Sequence, residues 1–385
     1  MGTLRRKAQG NQRFWQGTLN QQLGEVFEQV KDELPQIERL SFALYDSDSD
    51  VLKTYADSAP NSNETFRHYE CRLSELPSLL ECAEKHQCRT ISNFDSDIEP
   101  ASKHNHWLKE QGFKSSYALP TFYENNLIGF IFLNANTPNF FCEDVQQSLT
   151  PYIKLIKQAA SWEYETIKTI LDAANSTIKR QPRHMLQFKD HQERMYYYTK
   201  IIAHDIADTY NLSDEDIENI TLFSRFHDIG KLSMSPSLLQ KSTGLAEIEK
   251  DKVFQHIERG IDIIDGIISK TGCCSHASLN ILKDIISYHQ ERLNGTGYPY
   301  GKKGDEIPVS ARIISVANIF DALTSHRPYK QACSVLFALL ELEKMVANGE
   351  VDKHCVNALR RHQAFLNEII SRYPETDPKN AETTH

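Results

Sequence analysis

A chain of 385 residues, 40% hydrophobic and 25% charged, holds two or three domains at about 150 residues each, so neither a single small module nor wholesale disorder fits. Forty-three Lys and Arg against 52 Asp and Glu leave a formal charge of -9. Nothing global therefore attracts duplex nucleic acid or an anionic membrane, and an anionic ligand needs a local basic pocket. No run approaches about 18 consecutive apolar residues, residues 1–15 lack an apolar signal core, and Arg6 stands where lipidation at Met1-Gly2 would need Ser or Thr. These features predict a cytoplasmic protein without a membrane partner. The eight cysteines, scattered without a CxxC pair, read as reduced thiols and encode no zinc finger.

In chain order, RLSFALYD (39–46) and VLKTYA (51–56) flank the turn-forming DSDSD and predict a strand hairpin. Helical patterns follow at 74–86 and 102–111. SSYALPTFY (115–123), Asn125-Asn126 and LIGFIFLNA (127–135) predict a second hairpin, rich in aromatic and β-branched residues. Strand pairs separated by helices give an α+β order. With the aromatic closing hairpin and a long exit helix, residues 18–160 resemble a GAF domain, a small sensory fold. Cys82, His86, Cys88, His104 and His106 in this half match no ligand spacing and read as ordinary packed or solvated side chains.

A connecting helix is expected over 142–180, because Glu143-Asp144 suit a helix start and Gln181-Pro182 marks its end. Leu149, Ile153, Ile156, Ala160, Glu163, Ile167, Ile170 and Ala174 alternate spacings of four and three, a coiled-coil seam broken only by Glu163. Two readings stand: a parallel homodimer helix joining sensor to output, or a stripe packed on its own sensor domain. From 184 to 372 the pattern is helical, with apolar periodicity in 195–210, 215–226, 253–268, 279–288, 309–323 and 335–346. An all-α bundle is expected there, punctuated by the loop GTGYPYGKKGDEIP (295–308), with a polar tail at 373–385.

The strongest chemical feature is His227-Asp228-Ile229-Gly230-Lys231 at the end of an apolar helix. An imidazole nitrogen and an adjacent carboxylate can hold a divalent cation, and a carboxylate can bridge two. Lys231, one helical turn after His227, could direct its ammonium group at a phosphate. His204-Asp205 repeats the dipeptide inside an amphipathic helix without Gly-Lys and reads as a solvated pair. His191, His256 and His289 fall on other helices of the bundle. Singly each is more often a packed or surface residue than a ligand. Their order is what matters: His191, His227-Asp228, His256 with Gly260 one turn later, then His289 before GTGYP.

That order, with HDIGK, HIERG, Gly297-Tyr298-Pro299, IPVSARI and FDALTSHRPYK, resembles an HD-GYP domain over residues 184–372. This is the branch of the HD metal-dependent phosphohydrolases that hydrolyses the bacterial second messenger cyclic di-GMP. The resemblance implies a helical fold, two or three iron or manganese ions, a metal-bound hydroxide as nucleophile, and pGpG or GMP as product. It implies His191, His227, Asp228, His256 and His289 as metal ligands, with Asp228 and Lys231 catalytic. Lys231, Arg327 and Lys330 would contact the phosphates of cyclic di-GMP, and Tyr298 would stack on a base or rigidify a turn.

Three positions depart from the pattern: Gln187 replaces a Glu four residues before His191, Gln290 replaces a His after His289, and Asn318 replaces an Asp after Ala317. Gln290 and Asn318 are thus weakened ligands, and a third ion at Gln187 is not expected. One carboxylate would face four neutral imidazoles, poor compensation for two divalent cations. The expected protein is a signalling phosphodiesterase with an α+β GAF-like domain, a long helix and an all-α HD-GYP bundle, its turnover reduced by these changes. The alternatives are a cyclic di-GMP receptor or interaction module without turnover, and a phosphohydrolase for another nucleotide.

Overall fold

The computed structural model describes residues 17–58, 68–97, 107–108, 110–179, 187–239, 246–272, 276–325 and 332–374. Its contacts divide the chain into two units, residues 1–168 with 213–215, and residues 169–212 with 216–385.

The first unit opens with α1 (Leu19–Glu33), a helix that the sequence reading passed over. Its start is fixed reciprocally: the Gln21 N–H donates to the Thr18 hydroxyl at 3.3 Å, and the Thr18 N–H donates to Gln21 Oε1 at 3.1 Å, a capping box. β1 (Ile37–Asp46), β2 (Val51–Asp57), β3 (Glu70–Arg72), α2 (Pro77–Glu84), β4 (Arg89–Ile91), β5 (Ser115–Tyr123) and β6 (Asn126–Ala135) follow. The sheet runs in the order β3-β2-β1-β6-β5-β4, and every neighbouring pair is antiparallel. Both expected hairpins form, and the unit has the α+β order. The edge strands β3 and β4, three residues each, are too short to show a period of two. The helical pattern at 102–111 falls largely outside the described residues.

Alternation along the strands builds a core on each face of the sheet. Phe42, Tyr117, Leu119, Ile131 and Leu133 meet Leu23, Val26 and Val30 of α1 and the first half of α3 (Glu143–Lys179), while Ala43, Ala118, Phe130 and Phe132 meet Leu73, Leu79 and Cys82. The first part of the α3 stripe follows the second reading. Leu149, Ile153, Ile156 and Ala160 lie in the first of these cores. Glu163, the polar break, is buried and accepts the Tyr55 hydroxyl at 2.9 Å. From Leu149 to Glu163 the seam is spent on its own domain, so that stretch is not available for a homodimer coiled coil.

The second unit is helical: α4 (Gln187–Tyr210), α5 (Asp214–Phe223), the single turn α6 (Pro236–Leu239), α7 (Glu247–Phe254), α8 (His256–Thr271), α9 (Ser278–Tyr288), α10 (Val309–Thr324), α11 (Val335–Ala347), α12 (Lys353–Arg361) and α13 (Gln363–Arg372). Two expected helices are interrupted at the histidines. The one predicted over 253–268 breaks at Gln255, where His256 Nδ1 bonds to the Val253 carbonyl at 2.5 Å. The one predicted over 215–226 tightens into a 3-10 turn at Ser224–Phe226, and a second such turn, Ile229–Ser233, carries Lys231. Asp228 thus sits between two turns, and the expected geometry, a regular helical turn from His227 to Lys231, is replaced. The second turn packs on α8, while α4 packs on α10 and α12. A Cβ at Gly230 would overlap the His256 carbonyl oxygen, so the glycine of HDIGK is what lets that turn reach α8. Among the described residues no helix is long and apolar enough to cross a membrane.

Candidate metal centre

Five residues from four places along the chain converge. His191 comes from α4, His227 and Asp228 from the junction between the 3-10 turns, His256 from the first position of α8, and His289 from the end of α9. Two overlapping triplets, His191-His227-Asp228 and Asp228-His256-His289, each bring one ligand atom per residue within 4.8 Å of the others. Asp228 is the shared member. Its Oδ2 lies 3.4 Å from His227 Nε2, and its Oδ1 lies 3.4 Å from His256 Nε2 and 3.5 Å from His289 Nε2.

The other ring nitrogen of each histidine is already engaged. His227 Nδ1 bonds to the Ser224 carbonyl at 2.8 Å, His256 Nδ1 to the Val253 carbonyl at 2.5 Å, and His289 Nδ1 to the Ile285 and Ile286 carbonyls at 3.1 Å. Carbonyls only accept, so Nδ1 carries the proton in all three rings and Nε2 presents a lone pair. The Nε2 atoms of His227, His256 and His289 and the Oδ1 of Asp228 are buried without a hydrogen-bond partner. Buried groups of this kind are normally satisfied. Lone pairs turned to one point, each imidazole fixed from behind, are the donor set of a divalent metal site. The residues present therefore fit the metal that the sequence pattern implied.

Electrostatics favours the same protonation states. Burial pushes the His289 imidazole down to about 4, against the pull of Asp228, and burial lowers His191 despite Asp321. Both rings are thereby neutral at neutral pH. Burial alone would raise Asp228, but Lys231 and His227 hold its carboxyl well below the usual range. Lys231 Nζ donates to Asp228 Oδ2 at 2.5 Å, which makes it a counter-ion of that carboxylate.

A second arrangement stands behind His191, and sequence reasoning missed it. Asp321 Oδ2 lies 2.7 Å from His191 Nδ1, while Asp321 accepts from Arg194 Nε at 2.6 Å and from Arg194 Nη2 at 3.1 Å. Arg194 also donates to the Ser325 hydroxyl at 3.0 Å and to the Tyr373 carbonyl at 2.8 Å. Burial would raise the Asp321 carboxyl, yet His191 and Arg194 hold it far down. The available signals were Asp321 within FDALTSHRPYK and Arg194 three positions after His191. Glu291 was missed as well: it is buried and accepts the Tyr300 N–H at 2.7 Å and the Lys302 N–H at 3.1 Å, holding the loop after Tyr298. A Cβ at Gly297 would strike the Glu291 and Arg292 backbone.

The remaining predicted positions fare differently. The ring of Tyr298 stacks on Phe254 at 3.9 Å between centroids and 23° between planes, which occupies one of its faces. Gln290 is half-buried, and its carbonyl accepts the Tyr298 N–H at 3.3 Å. Asn318 is half-buried on α10, three positions before Asp321. Gln187 begins α4, and its side chain lies outside what the structure describes, as do Arg327 and Lys330 entirely. Asp205 is not the solvated group expected: its side chain is 11% exposed and bonded by Arg361 and His362. In the first unit Cys82 is buried and His86 stacks on Phe122, while His104 and His106 lie outside the described residues. Among the described residues, no metal-binding group forms there.

A helical bundle that buries histidines around one shared carboxylate presents the donor set of a divalent metal site. Residues 170–355 match the family model described as HD domain. Over 182 residues the chain is 35% identical to the cyclic di-GMP phosphodiesterase response regulator RpfG of Xanthomonas campestris, covering 47% of this chain and 45% of that protein. Over 189 residues it is 33% identical to 3'3'-cGAMP-specific phosphodiesterase 3 of Vibrio cholerae, covering 49% and 38%. The matches thus span less than half the length of these curated relatives. Solved structures similar to this chain include the phycocyanobilin-bound GAF domain of a cyanobacterial phytochrome, at 19% identity, covering 42% of this chain and 92% of that one with a TM-score of 0.32. Another is the GAF domain of a Bacillus halodurans sensor histidine kinase, at 16% identity, covering 36% and 92% with a TM-score of 0.30.

Proposed function

We propose that the HD domain is a metal-dependent phosphodiesterase that hydrolyses cyclic di-GMP to pGpG or GMP. The observation that carries this reading is the set of buried, unpartnered Nε2 atoms of His227, His256 and His289 facing the equally unpartnered Oδ1 of Asp228. Two triplets sharing Asp228 support two ions, and imidazole with carboxylate suits iron or manganese. A bound divalent cation would polarise a phosphoryl oxygen and make water a better nucleophile near neutral pH.

The chain's own residues supply the rest. The backbone carbonyls behind His227, His256 and His289, and Asp321 behind His191, hold the imidazoles in one tautomer and one orientation. Asp228 is the sole carboxylate of the two triplets, which leaves a loaded site net positive and attractive to a ligand with two phosphates. Lys231 at the edge of Asp228, with Arg327 and Lys330, provides phosphate contacts, where Arg327 offers a fork and the lysines point charges. The names of the relatives, which act on cyclic di-GMP or 3'3'-cGAMP, support a cyclic dinucleotide as substrate.

One feature favours a second reading, a cyclic di-GMP receptor without turnover: Gln187, Gln290 and Asn318 stand where ligands were expected. Anaerobic purification followed by iron and manganese analysis, with loss and equilibrium binding of cyclic di-GMP and 3'3'-cGAMP measured in parallel, separates the two. Metal with turnover supports the enzyme. Binding without turnover makes the domain a receptor, and Gln187→Glu, Gln290→His and Asn318→Asp together then restore hydrolysis. A protein that takes up no metal and binds neither dinucleotide overturns both readings.

A further inference from the structure

A large apolar side chain exposed singly is common on protein surfaces and by itself points to nothing. Phe254 differs in what stands behind it. It is the last residue of α7, and 38% of it is exposed. Among the described residues its one ring contact is Tyr298, nearly parallel at 23° with 3.9 Å between centroids. Tyr298 is half-buried, so the stack has an inner ring and an outer ring.

The inner ring is fixed by its own loop. The Tyr298 N–H donates to the Gln290 carbonyl at 3.3 Å, the backbone of Glu291 and Arg292 leaves no room for a Cβ at Gly297, and Glu291 holds the N–H groups of Tyr300 and Lys302. The outer ring is tied to the metal centre along the chain. Phe254 follows Val253, whose carbonyl bonds to His256 Nδ1, and precedes His256 by two positions. Through space the Tyr298 ring stands steeply to that of His256, with 6.4 Å between centroids and 78° between planes. The Phe254 ring therefore lies no further from the His256 ring than the two centroid separations together, a distance comparable with the span of a nucleotide from phosphate to base.

We propose that the outward face of Phe254, backed by Tyr298, is the stacking platform for a purine base of the nucleotide whose phosphate is held at the metal centre. This deepens the proposed function and rests on it for the phosphate end of the ligand. A ring already held by a second ring loses little freedom when a base lies on it, and stacking on an aromatic side chain is worth about 5- to 150-fold in affinity per base. A two-ring base covers more of the phenyl face than a one-ring base, so purines are preferred to pyrimidines. Phe254 offers a π face and no hydrogen-bonding group, so it accepts guanine and adenine alike, and any choice between cyclic di-GMP and 3'3'-cGAMP is made by other groups.

The test uses the full chain loaded with manganese. Equilibrium binding of GMP, AMP, UMP and ribose 5-phosphate is measured on the parent, Phe254→Leu and Phe254→Trp. Ribose 5-phosphate carries sugar and phosphate without a base. The parent should bind GMP and AMP more tightly than UMP, and ribose 5-phosphate most weakly. Phe254→Leu keeps an apolar side chain and removes the ring, so it should weaken GMP and AMP at least about fivefold while ribose 5-phosphate affinity and metal content stay as in the parent. Phe254→Trp should retain GMP affinity. The chain's own tryptophans, Trp15, Trp107 and Trp162, all precede the helical unit, so GMP, and not ribose 5-phosphate, should quench the emission of the added indole. A parent that binds GMP no better than ribose 5-phosphate, an equal loss of all four ligands in Phe254→Leu, no loss of GMP in that variant, or no quenching in Phe254→Trp would each overturn the platform. Cyclic di-GMP turnover on the same preparations keeps the two claims apart. Ring-dependent GMP binding without hydrolysis removes the enzyme and leaves the platform, whereas hydrolysis with GMP affinity indifferent to the ring removes the platform alone.

Discussion

The dipeptide His-Asp occurs twice in the helical domain, at 204–205 within α4 and at 227–228 between two 3-10 turns. Asp205 meets Arg361 Nε at 2.8 Å and His362 Nε2 at 3.2 Å, and Arg361 is 54% exposed, so the carboxylate is neutralised by a guanidinium at the surface. Asp228 meets one ammonium group and three imidazole Nε2 atoms, all from buried or partly buried side chains. The difference lies in what the rest of the chain brings to each pair. A carboxylate satisfied by surface arginine fastens α12 to α4, whereas one ringed by lone-pair nitrogens is incomplete until a cation arrives.

The sharpest way to break this contrast is to remove the shared carboxylate. Asp228→Asn should strip the metal and reduce cyclic dinucleotide hydrolysis by well over the roughly 100-fold that outer contacts command, as read by metal analysis and turnover on one preparation; retained metal would disconnect the cluster from the site. Next comes the approach that builds the cluster. Gly230→Ala forces a Cβ onto the His256 carbonyl, and a cost of about 3 kcal/mol, the upper end for overpacking, is expected in urea unfolding. Asp321→Asn replaces the acceptor behind His191 with an amide and should weaken metal affinity by about 10 to 100-fold. Competition with a chelator reads that loss independently of activity, and an unchanged affinity would leave Asp321 a packing residue.

The smallest effect belongs to the other dipeptide. Asp205→Asn should cost about 1 kcal/mol, in the range of exposed ion pairs, and leave metal content unchanged. Arg361 holds the Asp205 carboxyl below its ordinary value, against burial and with help from His362. The ion pair therefore stabilises the fold above the unfolded carboxyl value of about 3.9, and its contribution is lost as pH falls through the lower folded value. Acid unfolding of Asp205→Asn compared with the parent should show the two stabilities converging at low pH.

Much of this was legible along the chain. Both hairpins and the main apolar helices carry their period in consecutive residues, and the five histidine and aspartate positions could be singled out by order and spacing. The breaks at Gln255 and Ser224–Phe226 could not, because they arise where an imidazole or a turn takes a carbonyl that the helix would otherwise use. The seam on α3 was ambiguous for a related reason. Leu149, Ile153, Ile156 and Ala160 fit a partner helix and a sheet face equally well, and only the neighbouring sheet shows which one they cover.

By itself the sequence determined the order of elements, the alternation that gives the sheet two apolar faces, and the residue types able to hold a cation. These follow from local stereochemistry and from periodicity within each segment. Tertiary structure alone decided that Asp228 belongs to both candidate triplets, that Asp205 is bonded by Arg361 and His362, and that Asp321 and Arg194 stand behind His191. Each depends on groups tens to hundreds of positions apart, and burial turns their proximity into either satisfaction or demand.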